Sequence, residues 1–513
     1  MSRETADTVR RSTAKCGGAV TARSHASTPL RSSRDHARGA HVEERVLIRL
    51  GWVLAVVGLL VAACTPSAPY RTTLSDPPPD CPFSLSGSLP SACQISRHEH
   101  SNDYDLLFVE FDDQGLLYPG APGGTPNLWP PQINEVMARL HRLGETHKDQ
   151  GISLYVFVHG WKHNASTDDD NVKGFREVLH SAALVEQASH VPHRVIGIYV
   201  AWRGLSATVE PFLELSFWER KATALYVAQG SARGLLTRLK GFQRGINCPR
   251  PSDCIAGEPR PGTRPKVRFV MIGHSFGGLI LFNAISSALV EGLTYREDSG
   301  DPDAPAVRFG DMVILLNPAF EASRYTPLHR IVTNPGRAFT KYQAPILVSI
   351  TSTADWATGW AFPAGRFINT LFEKAASPEE STAIKNTMGH VDLYVTHKLT
   401  KSAEDPAACQ GWKDVMTVDP SARSGQMREN LMVETKNNLT FFGTDPRPVL
   451  KEHWIRNFCG GAVLTHVNYQ PNSPVWNVET DKSVIKNHGD IQGSTLTNFL
   501  RQLYKDSYVY PLE

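Results

Sequence analysis

Short apolar runs alternate with helix-length segments along most of the chain, and this alternation limits the folds that it can adopt. The runs are rich in Val, Ile, Leu and Phe, which is typical of strands that are buried on both faces. Parallel strands need long crossovers, and helices supply them. The pattern therefore predicts an α/β class domain with a doubly wound, mostly parallel sheet. The predicted strands are 104–111, 152–158, 195–200, 267–272, 312–316, 346–350 and the extended stretch 476–485.

One long segment breaks this alternation. Between about residues 356 and 470 the pattern is irregular, with a helical piece near 366–374. We interpret it as an insertion between the last two core strands. It is either a cap over a site or a set of surface loops, because long ordered loops often serve in binding.

The composition is that of a globular protein with a large core. The chain has 513 residues, of which 41% are hydrophobic, and its formal net charge is only +2. Basic residues beyond the N-terminus are mixed with acidic ones, so the charge pattern does not favour nucleic acid as a partner.

The N-terminal region reads as an export signal preceded by a basic segment. Residues 1–44 lack helical or strand periodicity and are predicted to be disordered. They are either a basic tail that binds a partner or a segment included by a wrongly assigned start codon. Residues 45–63 combine a basic flank with an apolar core too short to span a bilayer, as in a secretory signal. The run Leu-Val-Ala-Ala-Cys, which ends at Cys64, resembles a bacterial lipobox.

That resemblance implies lipidation of Cys64 after cleavage, and hence an exported protein of the bacterial cell envelope that is held at a membrane by a lipid anchor. The alternatives are an uncleaved anchor or cleavage in which Cys64 plays no part. Residues 64–103 are rich in Pro and Ser and are interpreted as a tether. The folded domain is predicted to cover 104–513.

Six further cysteines indicate disulfide bonds in an oxidising compartment. Their order along the chain favours pairing between neighbours. The spacing does not match that of a zinc site, and the sequence indicates neither a metal nor an organic cofactor. The expected pairs are Cys81 with Cys93, Cys248 with Cys254, and Cys409 with Cys459.

The segment 267–290 contains the feature that points most clearly to chemistry. A strand leads into Gly-His-Ser-Phe-Gly at 273–277, and an apolar helix follows. This order is typical of a nucleophile elbow, in which a sharp turn lifts the hydroxyl of Ser275 above the sheet edge. The N–H of Phe276 and the helix N-terminus would then face developing negative charge. The alternative is a glycine-rich loop without chemistry.

With this elbow, the chain from about residue 104 onward resembles the α/β-hydrolase superfamily. The run His-Gly-Trp-Lys-His-Asn, which begins at His159 after a strand, resembles the oxyanion loop of that superfamily and looks like that of an uncharacterised bacterial group within it. The resemblance implies that the N–H of Trp161 is the second oxyanion donor beside Phe276. A structural turn with His159 packed in the core is the alternative.

The acid and the base are sought after the ends of strands, because open α/β sheets place their sites there. Asp355 follows the strand 346–350 and is the predicted acid, with Glu321 as the alternative. The superfamily's chain order of Ser, Asp and His places the base before the last helix, at His488. His390 is the alternative base.

The resemblance implies a serine hydrolase that cleaves a carboxylic ester of a small molecule or lipid through an acyl-serine. The same machinery serves peptidases and thioesterases, so these remain alternatives. A non-catalytic lipoprotein that uses the fold for binding is a further one. Trp356, Trp360 and Phe362 follow the predicted acid and indicate either an apolar wall, which favours an ester, or the core of the insertion.

Overall fold

The computed structural model covers most of the chain beyond the predicted signal. The described residues are 67–83, 89–118, 131–187, 191–206, 212–255, 258–259, 265–298, 306–334, 339, 344–370, 373–402, 454–469 and 472–509. The predicted basic segment, the signal and Cys64 lie outside them, as does Cys409.

A large mixed sheet forms the centre of this structure. Its eleven strands are β1 (His98–His100), β2 (Tyr104–Phe111), β3 (Ile152–Val158), β4 (Arg194–Trp202), β7 (Val267–His274), β8 (Met312–Leu316), β9 (Leu347–Ser352), β10 (His397–Lys401), β11 (Ile455–Phe458), β12 (Ala462–His466) and β13 (Val475–Thr480). A separate two-stranded ribbon consists of β5 (Cys254–Ile255) and β6 (Glu258–Pro259).

The strand order is β1-β2-β4-β3-β7-β8-β9-β13-β10-β12-β11. Every pair from β2 to β10 in this order is parallel, whereas β1, β12 and β11 pair antiparallel at the two edges. The α/β class and the mostly parallel sheet are thus confirmed. The chain turns to one side of β3 to form β4 and then to the other side to form β7. Such a reversal opens a crevice at the carboxyl ends of the strands, and in open α/β sheets ligands bind there.

Helices flank the sheet, which is why its parallel strands are apolar on both sides. Tyr155 and Phe157 of β3 belong to one apolar cluster, and Leu154 and Val156 to another. The α-helices of the described residues are α1 (Ser91–Ile95), α2 (Pro131–Thr146), α3 (Asp170–Gln187), α4 (Phe212–Gln229), α5 (Ser231–Asn247), α6 (Phe276–Asp298), α7 (Thr326–Val332), α8 (Phe362–Asn369), α9 (Pro378–Lys385) and α10 (Ser494–Val509).

The two apolar clusters identify the two faces. Side chains of α2, α4, α5 and α6 pack on the face of Leu154 and Val156, and those of α3 and α10 pack on the face of Tyr155 and Phe157. Within the described part of the chain, only the segment Phe276–Thr294 of α6 is long and apolar enough to cross a membrane, and 67% of it is buried in the protein. Its hydropathy is therefore accounted for by its place in the core.

The segment predicted to be a tether packs against the domain. The β1 strand pairs with β2, and the buried side chain of Arg71 donates to Glu99 at 2.8 Å. The disulfide between Cys81 and Cys93 links two parts of this segment to each other. Ordered structure therefore begins well before residue 104, because Arg71 and Glu99 form a buried ion pair that a solvated linker could not hold.

The disulfide predictions are confirmed for two pairs. Cys81 bonds to Cys93 and Cys248 bonds to Cys254. Cys459 is also disulfide-bonded, while its predicted partner lies outside the described residues.

The described part of the predicted insertion contains strands as well as helices. The β10, β12 and β11 strands of this region extend the main sheet beyond β13. The helix predicted near 366–374 lies earlier, at Phe362–Asn369, directly after a π-helical turn at Ala357–Ala361.

Candidate active site

Four loops meet at the carboxyl edge of the sheet, after β3, β7, β9 and β13. Because these strands are parallel, their carboxyl ends lie on the same edge. The loops carry the residues from His159, Ser275, Asp355 and His488 onward, and the first two follow the neighbouring strands β3 and β7, where the strand order reverses. The sheet thus brings together residues that are far apart in sequence.

The turn at Ser275 is strained and tightly packed. The φ angle of Ser275 is +57°, in the left-handed region that side chains disfavour. A Cβ atom on Gly273 would lie 2.7 Å from the carbonyl oxygen of Gly277, and one on Gly277 would lie 2.0 Å from that of Val158. Only glycine allows β3, β7 and α6 to approach so closely.

Ser275, His488 and Asp355 form one hydrogen-bonded chain. His488 Nε2 lies 2.7 Å from Ser275 Oγ, and His488 Nδ1 lies 2.7 Å from Asp355 Oδ2. The carboxylate can only accept, so Nδ1–H donates to it and, in the neutral ring, Nε2 accepts the hydrogen bond of the Ser275 hydroxyl. The structure therefore brings together the nucleophile, base and acid that the sequence predicts. Ser275 and Asp355 are each 1% exposed.

The Asp355 carboxylate has further donors. Its Oδ1 accepts from the backbone N–H groups of Ala357 and Thr358, and its Oδ2 accepts from Thr358 Oγ1 at 2.6 Å. Burial acts to raise the pKa of Asp355, but the hydrogen bonds from His488 and Thr358 outweigh it, and the pKa is lowered. Asp355 thus stays ionised at neutral pH, as an orienting acid must.

His390, the alternative base, lies on the other side of Asp355. Thr358 Oγ1 gives its only proton to the carboxylate, so it must accept from His390 Nε2, which lies 3.0 Å away. Sequence reasoning missed Thr358. The available signal was its position three residues after the predicted acid, at the start of a helical turn, from which its hydroxyl can reach the carboxylate.

Glu321, the alternative acid, is engaged elsewhere. Its carboxylate forms ion pairs with Lys221, Arg324 and Arg366. Burial alone would raise the pKa of Glu321, but Lys221 and Arg324 lower it to about 2. The carboxylate is held by this ionic cluster, while His488 pairs with Asp355.

Two side chains that sequence reasoning missed hold the loop of His488 in place. The carbonyl oxygen of His488 accepts hydrogen bonds from His274 Nε2 at 2.9 Å and from Asn317 Nδ2 at 3.0 Å. Burial is the main reason that the pKa of His274 lies well below its ordinary value. His274 is therefore a neutral donor. The sequence shows that His274 lies next to Ser275 in the elbow, but it does not show that His274 contacts His488, 214 residues away.

The loop after β3 lies against Ser275. A Cβ atom on Gly160 would lie only 2.7 Å from Ser275 Cβ. The N–H groups of Trp161 and Phe276, the two predicted oxyanion donors, donate to no protein acceptor in the part of the chain that the structure describes. Both are thus available to a substrate oxygen.

His159 fixes the direction of the peptide between Gly160 and Trp161. Its Nδ1–H donates to the carbonyl oxygen of Gly160 at 2.8 Å, and its Nε2 accepts from the N–H of Trp202 at 3.0 Å. In a trans peptide the C=O and the following N–H point in opposite directions, so Trp161 N–H points away from His159. Burial lowers the pKa of His159 to about 4, which keeps the ring neutral.

Aromatic side chains border this loop and the acid. Trp161 packs edge-on against Phe217, which also contacts Phe276 at a centroid distance of 4.7 Å. Trp356 and Trp360 are stacked and are 59% and 64% exposed, so they are not part of a buried core. Phe362 is buried against Trp218.

The described residues contain no group of three or more His, Cys, Asp or Glu side chains that could hold a metal ion. Comparison of the chain with protein-family models, with curated proteins and with solved structures finds no match.

Proposed function

We propose that the protein is a serine hydrolase that cleaves a carboxylic ester through an acyl-serine intermediate. The observation that carries the proposal is the position of His488. Its two ring nitrogens each lie 2.7 Å from an oxygen, one of Ser275 and the other of Asp355. A serine hydroxyl is a weak nucleophile unless an adjacent base takes its proton, and this is the arrangement that such activation requires.

In the proposed reaction Ser275 Oγ attacks the ester carbonyl while His488 Nε2 takes the hydroxyl proton. His488 then gives that proton to the departing alcohol, and the acyl group remains on Ser275. A water molecule then attacks the acyl carbon while His488 takes one of its protons. His488 gives that proton to Ser275 Oγ as the bond between Ser275 and the acyl group breaks, which releases the acid and restores Ser275. Asp355 orients the ring through Nδ1 and stabilises its charged form during both steps.

The N–H groups of Trp161 and Phe276 are proposed to hold the oxygen that becomes negative in each tetrahedral intermediate. The loss of one such donor costs about 2.7–4 kcal/mol of barrier stabilisation in known hydrolases. Phe276 begins α6, so the positive end of the helix dipole faces the same oxygen. The neutral His159 would keep the Trp161 donor in place.

The topology supports assignment to the α/β-hydrolase superfamily. The nucleophile, acid and base follow β7, β9 and β13 in the chain order Ser, Asp, His, and the oxyanion loop follows β3. On this assignment, the chain between Asp355 and β13 is the insertion.

We further propose that the protein is exported and held at a membrane by a lipid on Cys64. The disulfides Cys81–Cys93 and Cys248–Cys254 favour an oxidising compartment. The support for the anchor is the apolar stretch and lipobox pattern before Cys64.

The exposed pair Trp356 and Trp360, next to the acid, favours an ester with an acyl or aryl group over a peptide. The test is a panel of p-nitrophenyl esters and peptide anilides, assayed with the wild-type protein, Ser275→Ala and Ser287→Ala. Ser287 lies exposed on the same helix as the elbow and is the matched control. We expect ester cleavage that Ser275→Ala abolishes and Ser287→Ala retains. Peptide cleavage without ester cleavage would contradict the proposed substrate.

A further inference from the structure

The described chain starts at the same edge of the sheet that carries the triad. The backbone N–H groups of Tyr70 and Arg71 donate to the carboxylate of Glu110, at 2.9 and 2.7 Å. Glu110 is the last residue but one of β2 and therefore lies at the carboxyl edge. Arg71 Nε donates at 2.8 Å to the carbonyl oxygen of Ala165, in the loop after β3 that also carries Trp161. The residues before Arg71 thus leave the domain from the carboxyl edge.

Ser67, the first described residue, lies at this edge too. Its Oγ is 3.2 Å from the hydroxyl oxygen of Tyr118, whose backbone N–H donates to the carbonyl oxygen of Glu110. The strand order between this end and the elbow is β2-β4-β3-β7, and neighbouring strands lie about 4.8 Å apart, so the end of β2 is about 14 Å along the edge from the elbow.

The link between Cys64 and Ser67 is short. Cys64 lies three positions before Ser67 in the sequence, and three residues span at most about 11 Å when fully extended. The β2 strand has eight residues and is about 26 Å long, so a link of this length cannot reach the amino edge of the sheet. A lipid on Cys64 would therefore enter the bilayer beside the carboxyl edge.

Exposed apolar side chains border this edge on both sides of the elbow. Trp356 and Trp360 follow β9 and stack on each other at a centroid distance of 5.7 Å. Leu116, in the turn after β2, and Tyr70 are exposed on the other side. Trp and Tyr are preferred where a bilayer meets water, because each has an apolar ring and a polar tip. The side chains at this edge are therefore suited to contact with lipid.

We propose that the short link holds the carboxyl edge against the bilayer, with Tyr70, Leu116, Trp356 and Trp360 at its surface, and that the ester cleaved is an acyl ester of a lipid in that bilayer. This inference rests on the proposed function, that is, on a lipid at Cys64 and on ester cleavage by the triad. An ester in the same bilayer as the anchor is presented at a high effective concentration, whereas other esters reach the site only by diffusion.

The orientation can be tested by photolabelling of the lipid-modified protein in vesicles of phosphatidylethanolamine and phosphatidylglycerol. The vesicles also contain a phosphatidylcholine with a diazirine close to its headgroup, and mass spectrometry locates the adducts. We expect adducts on the segments that contain Tyr70, Leu116 and Trp360. The segments of Gln150 and Lys266, which are exposed at the amino ends of β3 and β7, should carry none.

A spacer variant tests the role of the link. A Gly/Ser spacer of about 20 residues between Cys64 and Ser67 should lower labelling of the carboxyl edge by about tenfold, because a longer link lowers the effective concentration. The same spacer added after Glu513 is the control and should leave the labelling unchanged. Equal labelling of the two edges in the wild type, or undiminished labelling in the spacer variant, would overturn the proposal.

Two controls separate this inference from the proposed function. Ser275→Ala should be labelled like the wild type even if ester cleavage proves absent. The mass of the peptide that contains Cys64 shows independently whether the lipid is present. A lipid-bearing protein without adducts at the carboxyl edge would contradict the orientation alone.

The substrate is tested with 4-methylumbelliferyl palmitate, placed either in the vesicles that carry the protein or in separate vesicles at the same total concentration. We expect cleavage to be at least about tenfold faster in the protein's own vesicles. Equal rates, or cleavage of the water-soluble acetate without cleavage of the palmitate, would overturn the lipid substrate. Failure to cleave the acetate as well would count against the hydrolase itself, while the photolabelling still reports the orientation.

Discussion

At the scale of single residues, Asp355 is the most firmly held member of the proposed triad. Asp355 Oδ2 accepts two hydrogen bonds, from His488 Nδ1 and Thr358 Oγ1, and Oδ1 accepts two more from backbone N–H groups. These four hydrogen bonds fix the position of the carboxylate, which in turn fixes the orientation of the His488 ring. Thr358 is the side chain at which this support can be tested.

Thr358→Val should lower kcat by roughly 10- to 100-fold, because hydrogen bonds to charged groups contribute about 1.5–3 kcal/mol. The hydrogen bond from Thr358 lowers the pKa of Asp355, so its loss raises that pKa. Protonation of Asp355 removes the negative charge that orients the His488 ring and stabilises its charged form. Activity should therefore fall off at a higher pH on the acid side than in the wild type.

The measurement is kcat and kcat/KM against pH for both proteins. Thr358→Ser keeps the hydroxyl and serves as the control, with near wild-type values expected. A Thr358→Val protein with an unchanged kcat and acid limb would refute this role of the hydroxyl.

At the scale of elements, the site depends on close contact between the loop after β3 and the elbow after β7. Gly160→Ala would place a methyl group 2.7 Å from Ser275 Cβ. One of the two loops must then move, which displaces either the nucleophile or the Trp161 N–H. We expect kcat to fall by about 100-fold or more, the typical loss when an oxyanion donor is displaced.

Gly234→Ala is the matched control for this change. Gly234 lies inside α5, and an added methyl group there would meet nothing within 4 Å. Alanine should increase the free energy of unfolding by about 0.5–1 kcal/mol and leave kcat unchanged, since glycine is the weaker helix former. Urea unfolding and ester assays check both. Equal kcat values for Gly160→Ala and Gly234→Ala would contradict the proposed contact.

The central strands could be predicted from sequence because each is buried on both faces and therefore continuously apolar. Other elements gave no such signal. The β10 and β12 strands lie near an edge, where only alternate residues are buried and the pattern is polar. The segment 215–242 has helical spacing throughout, yet it forms parts of two helices that meet at Gly230, where close packing against the carbonyl oxygen of Gly115 is a tertiary contact.

In the candidate site, too, features that are local in sequence could be predicted, whereas contacts between distant segments could not. The elbow around Ser275 was predictable because its strand, glycines and helix are adjacent in sequence. Asp355 and His488 could be chosen by their position after strands, but the contacts of Thr358 with His390 and of His274 with His488 could not, because they join segments 32 and 214 residues apart.

At the scale of the whole molecule, buried histidines determine how the protein responds to acid. Burial lowers the pKa of His159 and His329 to about 4, and it holds that of His274 and His397 well below its ordinary value. Below pH 6.5 these four histidines bind protons in the unfolded chain, whereas in the folded protein they stay neutral. Glu110 has the opposite effect, because burial raises its pKa to about 7 and the folded protein then binds a proton that the unfolded chain does not. It offsets only one of the four histidine protons.

The free energy of unfolding should therefore be nearly independent of these histidines above pH about 7, and it should decrease as the pH falls from about 6.5 to about 4. The steepest slope expected is about 4 kcal/mol per pH unit, from a net uptake of about three protons. Urea unfolding at a series of pH values gives this slope. A free energy of unfolding that stays constant across this range would contradict the buried, neutral state of the four histidines.

The central claim is that Ser275 is a nucleophile activated by His488, and the most direct test is covalent labelling with a fluorophosphonate followed by mass spectrometry of the labelled peptide. We expect one adduct, on Ser275, in the wild-type and Ser287→Ala proteins and no adduct in Ser275→Ala. Labelling of His488→Gln should be slower by about 100-fold or more, as expected for loss of a general base. A wild-type protein that is not labelled, or a Ser275→Ala protein labelled at the wild-type rate, would contradict the central claim.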